Sequence, residues 1–249
     1  MLKGQREQEI LNILKERGSF VDVNSLCKKL FASQSSIRRD LKIMEDKGLI
    51  RRSYGGAELA STYSTIMNFN ERFHQNAWSK TVMARKALSL IKDNSVIFLD
   101  QSSSAFFLAK ELPNKSSLTV ITNNVEILRL LLDTSITVIS SGGHMFQNNR
   151  NCLLGKDAEH IFSNTFADFA FFSCKALSCD GIITDCSREE VALRATMLNN
   201  AVKKVFLCDQ TKFNSRSTFI QCSLDNVDYL ITDAEKSPFS KNFPALTVI

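Results

Sequence analysis

No uninterrupted apolar stretch in this chain approaches the roughly 20 residues that a helix needs to cross a bilayer, so no membrane span is expected. The opening residues, MLKGQREQEI, lack the apolar core of a secretory signal, and a cytoplasmic protein is the simplest expectation. There are no internal repeats and no low-complexity tracts. No cysteine pair has the C-x-x-C spacing of a metal knuckle; the closest neighbours are Cys174, Cys179 and Cys186. The seven cysteines are odd in number, so they cannot all pair with one another. Cys27, Cys208 and Cys222 lie in apolar stretches, where the thiol acts as a small hydrophobe. Neither a metal nor a cofactor is expected.

What is present is an ordinary globular composition, 44% hydrophobic and 23% charged over 249 residues, enough for one small and one mid-sized domain. The charge is unevenly placed. Residues 1–57 carry twelve Lys/Arg against seven Asp/Glu, whereas residues 58–249 carry nineteen of each. The whole positive excess therefore sits in the first quarter of the chain, which points to a polyanionic partner for that segment alone.

Apolar spacing predicts three helices there. Residues 5–17 place Ile10, Ile13 and Leu14 on one face, with Gly18 ending the helix. A short second helix over 23–31 turns Leu26, Leu30 and Phe31 inward. After a break at Ala32, Ser33 is placed to cap a third helix with Ile37, Leu41 and Met44 inward, closed by Gly48. LIRRSYGGAEL then reads as a β-hairpin turning at Gly55–Gly56. Three helices and a hairpin over 1–57 make a winged helix-turn-helix, the third helix being the one suited to a DNA major groove. Residues 58–79 read as a linker. From residue 80, strand-like runs at 95–100, 118–122, 136–140, 167–172, 203–209 and 228–232 alternate with helical stretches at 80–92, 103–111, 124–133, 156–163 and 188–202. This predicts an α/β domain over 80–249 with a mostly parallel sheet covered on both faces. Such sheets bind ligands at the carboxyl ends of their strands, and several ends here are polar: Asp100–Ser104, Thr122–Asn124, Ser140–Gly143 and Asp209–Lys212.

Ser35-Ser-Ile-Arg-Arg-Asp-Leu41, followed by Gly48-Leu-Ile-Arg-Arg52 and Tyr54-Gly-Gly-Ala57, resembles the DNA-binding signature of DeoR-family regulators. Lys80, Leu99-Asp100, Thr122-Asn123, Gly142-Gly143, Gly181, Glu190, Lys212 and Ile231-Thr-Asp233 follow in the order of that family's sensor domain. The resemblance implies a cytoplasmic, homo-oligomeric bacterial regulator. It would bind double-stranded operator DNA, repress carbohydrate genes and be released by a phosphorylated sugar. Its sensor would resemble ribose-phosphate isomerases and coenzyme A transferases in fold.

At the DNA end, Gln34, Ser35, Ser36, Arg38 and Arg39 lie near the start of the third helix. Glutamine can pair bidentately with adenine and arginine with guanine. Arg38 and Arg39 cannot both point straight into the groove; one is expected at a base or phosphate, the other at Asp40 or a phosphate. Arg51, Arg52 and Tyr54 on the wing suit phosphate or minor-groove contact, and Lys42 and Lys47 add attraction. At the sensor end, Ser102, Ser103 and Ser104 precede a helix whose first N–H groups suit an anion. Ser102 stands where the family carries a glycine. Asp100 is expected to accept sugar hydroxyls or to orient this loop. Thr122, Asn123, Gly142 and Gly143 complete the expected crevice, with Lys212 as its cation. Arg150 is a further candidate, and His144 and His160 are read as structural or exposed. Two rival functions remain at this point. Sugar-phosphate isomerisation would need a carboxylate base after the central strand, but Ser173–Ser178 supply none before Asp180. A protein-binding adaptor is the other rival; hydroxyl-rich strand ends speak mildly against it.

Overall fold

The computed structural model describes residues 3–17, 21–46, 49–53, 55–59, 69–115, 117–147 and 149–249. They form two compact units, Met1–Thr65 and Ile66–Ile249.

The first unit runs α1 (Lys3–Arg17), β1 (Val21–Asp22), α2 (Val23–Leu30), α3 (Gln34–Asp46), β2 (Ile50–Ser53) and β3 (Gly56–Leu59). The apolar positions that define the helical period are those that meet: Ile10, Ile13, Leu14, Leu26, Leu30, Ile37, Leu41 and Met44 form one buried cluster. Asp22 caps α2, its carboxylate accepting from Ser25 N at 2.9 Å and Ser25 Oγ at 2.7 Å. Ser33 caps α3, its hydroxyl accepting from Ser36 N at 3.3 Å. The hairpin gains a third strand, because β1 pairs with β3 in the antiparallel order β1-β3-β2. Gly55 sits at φ 89°, whereas Gly56 is already a strand residue opposite Ser53 and Asp22. One inward assignment is corrected: Phe31 is 95% exposed. It ends α2 in the left-handed region, at φ 50°, with its N–H bonded to Cys27 O, and this reversal turns its side chain off the helix's apolar face. Gly18, Lys47, Gly48 and Tyr54 lie outside the described residues, as does the Arg51 side chain.

The second unit runs α4 (Phe69–His74), α5 (Ala77–Leu88), β4 (Val96–Leu99), α6 (Ser103–Glu111), β5 (Thr119–Thr122), α7 (Val125–Leu130), β6 (Thr137–Ser140), β7 (His144–Phe146), β8 (Asn149–Leu154), α8 (Lys156–Ser163), β9 (Ala167–Phe172), β10 (Ala176–Leu177), β11 (Ile182–Asp185), α9 (Arg188–Asn199), β12 (Ala201–Leu207), β13 (Phe219–Ser223), β14 (Tyr229–Ile231) and β15 (Thr247–Val248). Seven strands form the main sheet in the order β15-β14-β12-β9-β4-β5-β6, and every pairing in it is parallel. Strand alternation divides its side chains between two cores. Phe98, Phe172 and Phe206 meet Phe162 of α8 and Leu193 and Met197 of α9. Ile97, Leu99, Phe171, Val205 and Leu207 meet Met83 and Ala87 of α5 and Leu108 of α6. Both faces are thus covered, as the continuous apolar strands predict.

Three features depart from the sequence reading. Residues 69–74 and 77–79, read as linker, are helical: Phe69 and Phe73, one turn apart, pack on Phe106 of α6 with ring centroids 5.6 and 5.7 Å away. The stretch around Arg150, to which the sequence reading assigned no element, is the hairpin β7–β8. A small antiparallel sheet, β10-β11-β13, stands beside the main one. These strands are short or polar and give no apolar run to detect.

Candidate functional site

The carboxyl ends of β4, β5, β9 and β12 lie side by side in the sheet and bring together a set of mostly buried polar groups, most of them committed to one another. Asp100 follows β4 and is fully buried. Its Oδ1 accepts from Ser102 N at 3.0 Å, and its Oδ2 accepts from Ser173 N at 3.2 Å and Arg194 Nε at 3.0 Å. Both oxygens are therefore engaged within the chain, and of its two expected roles the geometry supports orienting the loop. Ser102 is extended, at φ −74° and ψ 152°, and its hydroxyl caps α6 by accepting from Ala105 N. This backbone is open to any residue, so the position does not demand the family's glycine. Thr122 donates to Leu99 O at 2.7 Å and accepts from Asn124 N at 3.0 Å. Asp100, Ser102 and Thr122 thus spend their side-chain hydrogen bonds on ordering the strand ends themselves.

Other expected residues keep capacity in reserve. Asn123 donates through Nδ2 to Gln101 Oε1 at 3.3 Å and to Leu153 O at 3.2 Å, but among the described residues its Oδ1 has no partner. Ser104 Oγ is likewise buried and unpartnered, and Ser103 is buried beside it. Lys212 donates to Ser173 Oγ at 2.8 Å and lies 3.5 Å from Asp209 Oδ2. Gly142 and Gly143 are exposed, at φ 68° and 90°. A side chain on Gly143 would meet Leu154 O at 2.3 Å, so the close approach this glycine permits is to β8. Arg150, His144 and His160 are exposed. A separate cavity of about 700 Å³ is lined by His144, Met145, Phe146, Glu159, Arg188 and Glu189, and none of the expected effector residues borders it.

The structure adds residues that the sequence reading did not place. Arg194 of α9 is 1% exposed; its Nη1 reaches Asp185 Oδ2 at 3.0 Å and Gln221 Oε1 at 2.9 Å, and its Nη2 lies 3.9 Å from Glu190 Oε2. Glu190 also accepts from Gln101 Nε2 at 2.9 Å and Asn149 Nδ2 at 3.3 Å. This network ties α9 to the loop after β4. Asp100 and Glu190 were marked in the sequence as positions of the resemblance; for Arg194 the only sequence signal was its spacing from Glu190, one helical turn away. Lys80, known only as a family position, is buried and donates to Arg72 O and Gln75 O. Burial, then the nearby Lys212, brings its pKa down to about 8 against the pull of Asp209. Burial pushes the Asp209 carboxyl up, but Lys212, a Thr211 hydrogen bond, Lys80 and Asn76 outweigh it and leave its pKa below the usual range.

In the first unit, α3 exposes Gln34, Ser35, Arg38, Arg39 and Lys42 while Ser36 is half-buried. Gln34 Nε2 donates to Asn24 Oδ1 at 2.7 Å. Asp40 is not a partner for Arg38 or Arg39: it is buried and paired with Arg6 Nε of α1 at 2.5 Å, because position 40 follows Ile37 and Leu41 onto the inner face. Arg52 pairs with Glu45 of α3, Nε to Oε2 at 3.1 Å, which fastens the wing to that helix. Among the described residues no cluster of His, Cys, Asp or Glu could hold a metal ion, and no helix is long and apolar enough to cross a membrane.

The DeoR C terminal sensor domain family matches residues 75–234, and the DeoR-like helix-turn-helix domain family matches residues 6–63. The HTH-type transcriptional regulator GolR of Listeria innocua is 35% identical over 234 residues, covering 94% of this chain and 91% of that protein. The lactose phosphotransferase system repressor of Lactococcus lactis is 33% identical over 243 residues, covering 96% and 94%. Among solved structures, ribose 5-phosphate isomerase A from Methanocaldococcus jannaschii aligns at 20% identity with a TM-score of 0.42, over 56% of this chain and 55% of that one.

Proposed function

Because this chain belongs to the DeoR family of helix-turn-helix transcriptional regulators, we propose that it represses carbohydrate-metabolism genes and that a phosphorylated sugar relieves its grip on operator DNA. The relatives are regulators, and the chain is a regulator rather than an isomerase. The observation that carries the DNA half is the outward face of α3. Gln34, Ser35, Arg38 and Arg39 are presented together on a helix whose opposite face is locked into the core. Such a face reads base edges from its N-terminal end, and the residue types of Arg51, Arg52 and Tyr54 suit phosphate or minor-groove contact. The sensor half is supported by the buried, polar residues Ser102–Ser104 and Asn123 with the half-buried Lys212 at the strand ends, and by the relative named for a lactose phosphotransferase system. Two or more copies would hold their α3 helices on repeated half-sites. The sugar phosphate must favour the arrangement that cannot bind DNA, since equal affinity for both states shifts nothing.

Selection of duplexes from a random library by the full chain tests this reading. A sequence-specific duplex should emerge whose affinity falls steeply with salt. Arg38→Ala or Arg39→Ala should then cost about 1–3 kcal/mol of specific binding through a lost bidentate base contact. Millimolar sugar phosphate should release the selected duplex. No sequence enrichment would remove the DNA reading, and release by no sugar phosphate would remove the effector reading.

A further inference from the structure

The first side chain of α3 is not free to swing. Gln34 donates through Nε2 to Asn24 Oδ1 at 2.7 Å, and Asn24 is the second residue of α2, ten positions earlier. Both side chains are exposed. The two helices are already held together by Leu26, Leu30, Ile37 and Leu41 in the core. An exposed bond between two amides adds little to that, because water serves either partner nearly as well. Its consequence is for where the Gln34 amide stands.

Both ends of the bond rest on fixed backbone. Asp22 caps α2 by accepting from Ser25 N at 2.9 Å, and Ser33 caps α3 by accepting from Ser36 N at 3.3 Å. The short hydroxyls beside Gln34 are occupied with one another, Ser33 Oγ lying 3.0 Å from both Ser35 Oγ and Ser36 Oγ. Gln34 carries the sole side-chain amide of α3. A primary amide has two donor hydrogens and one acceptor oxygen. The bond to Asn24 takes one hydrogen and leaves the other, together with Oε1. In the major groove an adenine presents a donor at N6 and an acceptor at N7, which match that oxygen and that hydrogen. The bond also sets which way round the amide stands. A glutamine without such a tether has to be ordered when DNA binds, and ordering one long side chain weakens an interface by about two- to tenfold.

We propose that Asn24 is a positioning residue for sequence readout: it holds the Gln34 amide so that Oε1 and the remaining hydrogen read one adenine in the major groove. The inference rests on reading the outward face of α3 as the face that meets DNA. It gives α2 a share in sequence preference without a base contact of its own.

The test uses the full chain and the duplex that emerges from selection, with affinities measured by fluorescence anisotropy for that duplex and for a set in which each base pair is replaced in turn. Gln34→Ala should flatten the preference for an A·T pair at one position of the site by about fivefold or more. Asn24→Ala should lower the preference at that same position by about two- to tenfold, leave the other positions unchanged, and add nothing in the Gln34→Ala background. Asn24→Asp keeps an acceptor for Nε2, so the preference at that position should survive while the added negative charge weakens binding to every duplex alike. Asn24→Ser, too short to reach Gln34, stands in should the alanine variant fail to melt cooperatively. Weakening of all duplexes equally by Asn24→Ala would make the residue merely structural and overturn the inference. A sharper preference in Asn24→Ala would overturn it too, since the bond would then withhold Gln34 from DNA. Selection that yields no duplex removes the DNA reading and this inference together. A selected duplex whose base preferences are untouched by Gln34→Ala, or whose affected pair is not A·T, overturns this inference and leaves the DNA reading in place.

Discussion

Replacing Arg194 with methionine would strand three carboxylates. The guanidinium lies 3.0 Å from Asp100, 3.0 Å from Asp185 and 3.9 Å from Glu190, and all four residues are at most 5% exposed. Methionine fills similar space, so cavity formation contributes little and the change isolates the charge. Each carboxylate keeps some hydrogen bonds: Asp100 from Ser102 N and Ser173 N, Asp185 from Cys186 N, Glu190 from Gln101 and Asn149. None keeps its positive partner. Breaking a buried ion pair from one side costs about 3–5 kcal/mol, a large share of the roughly 5–15 kcal/mol that holds a domain folded. Urea denaturation of both proteins at pH 7 measures the deficit. A deficit below about 1 kcal/mol would refute the assignment of this network as a buried counter-charge.

Three further outcomes are expected. Phe31→Gly should stabilise the first unit by up to about 1 kcal/mol, because Phe31 holds φ 50° and is 95% exposed with no packing to lose; a lower urea midpoint would contradict this. Gly143→Ala should cost about 1–3 kcal/mol or more, since the added carbon would sit 2.3 Å from Leu154 O and 2.9 Å from Ala158 Cβ at φ 90°; an unchanged melting temperature would show that the turn can yield. Lys80 has a folded pKa of about 8 because it is buried near Lys212, below its unfolded value. The unfolded chain therefore binds more protons above pH 8, and the stability of the wild type relative to Lys80→Met should rise from pH 8 to pH 10. A flat difference across that range would mean that Lys80 titrates normally.

The two architectures were legible because each rests on long, regular apolar periods. Ile10, Ile13 and Leu14, or Val96–Leu99, bury what their spacing says they bury. Legibility failed where an element is too short to show a period. α4 has six residues, and only the pairing of Phe69 and Phe73 marks it. β10 and β15 have two residues each and depend on neighbours supplied from elsewhere in the chain. Phe31 failed for a different reason: its spacing continues the apolar face of α2, but the backbone has left the helix there.

The candidate crevice shows a subtler limit. Sequence locates polar residues at strand ends, but it does not reveal how much hydrogen-bonding capacity each retains once the chain has folded. Asp100 and Thr122 look like ligand contacts by position, yet their oxygens are engaged within the chain. Asn123 spends its amide hydrogens internally and keeps its carbonyl oxygen idle. Arg72, placed in a linker by its sequence context, keeps two buried donors idle. Ligand specificity in such a crevice follows from the donors and acceptors left over, and these are set by tertiary contacts between residues as distant in sequence as Asp100 and Arg194. Substitutions at the committed residues should therefore act mainly through loop order and stability. If the proposed effector site is right, substitutions at Asn123 and Ser104 should instead change ligand binding with little change in stability.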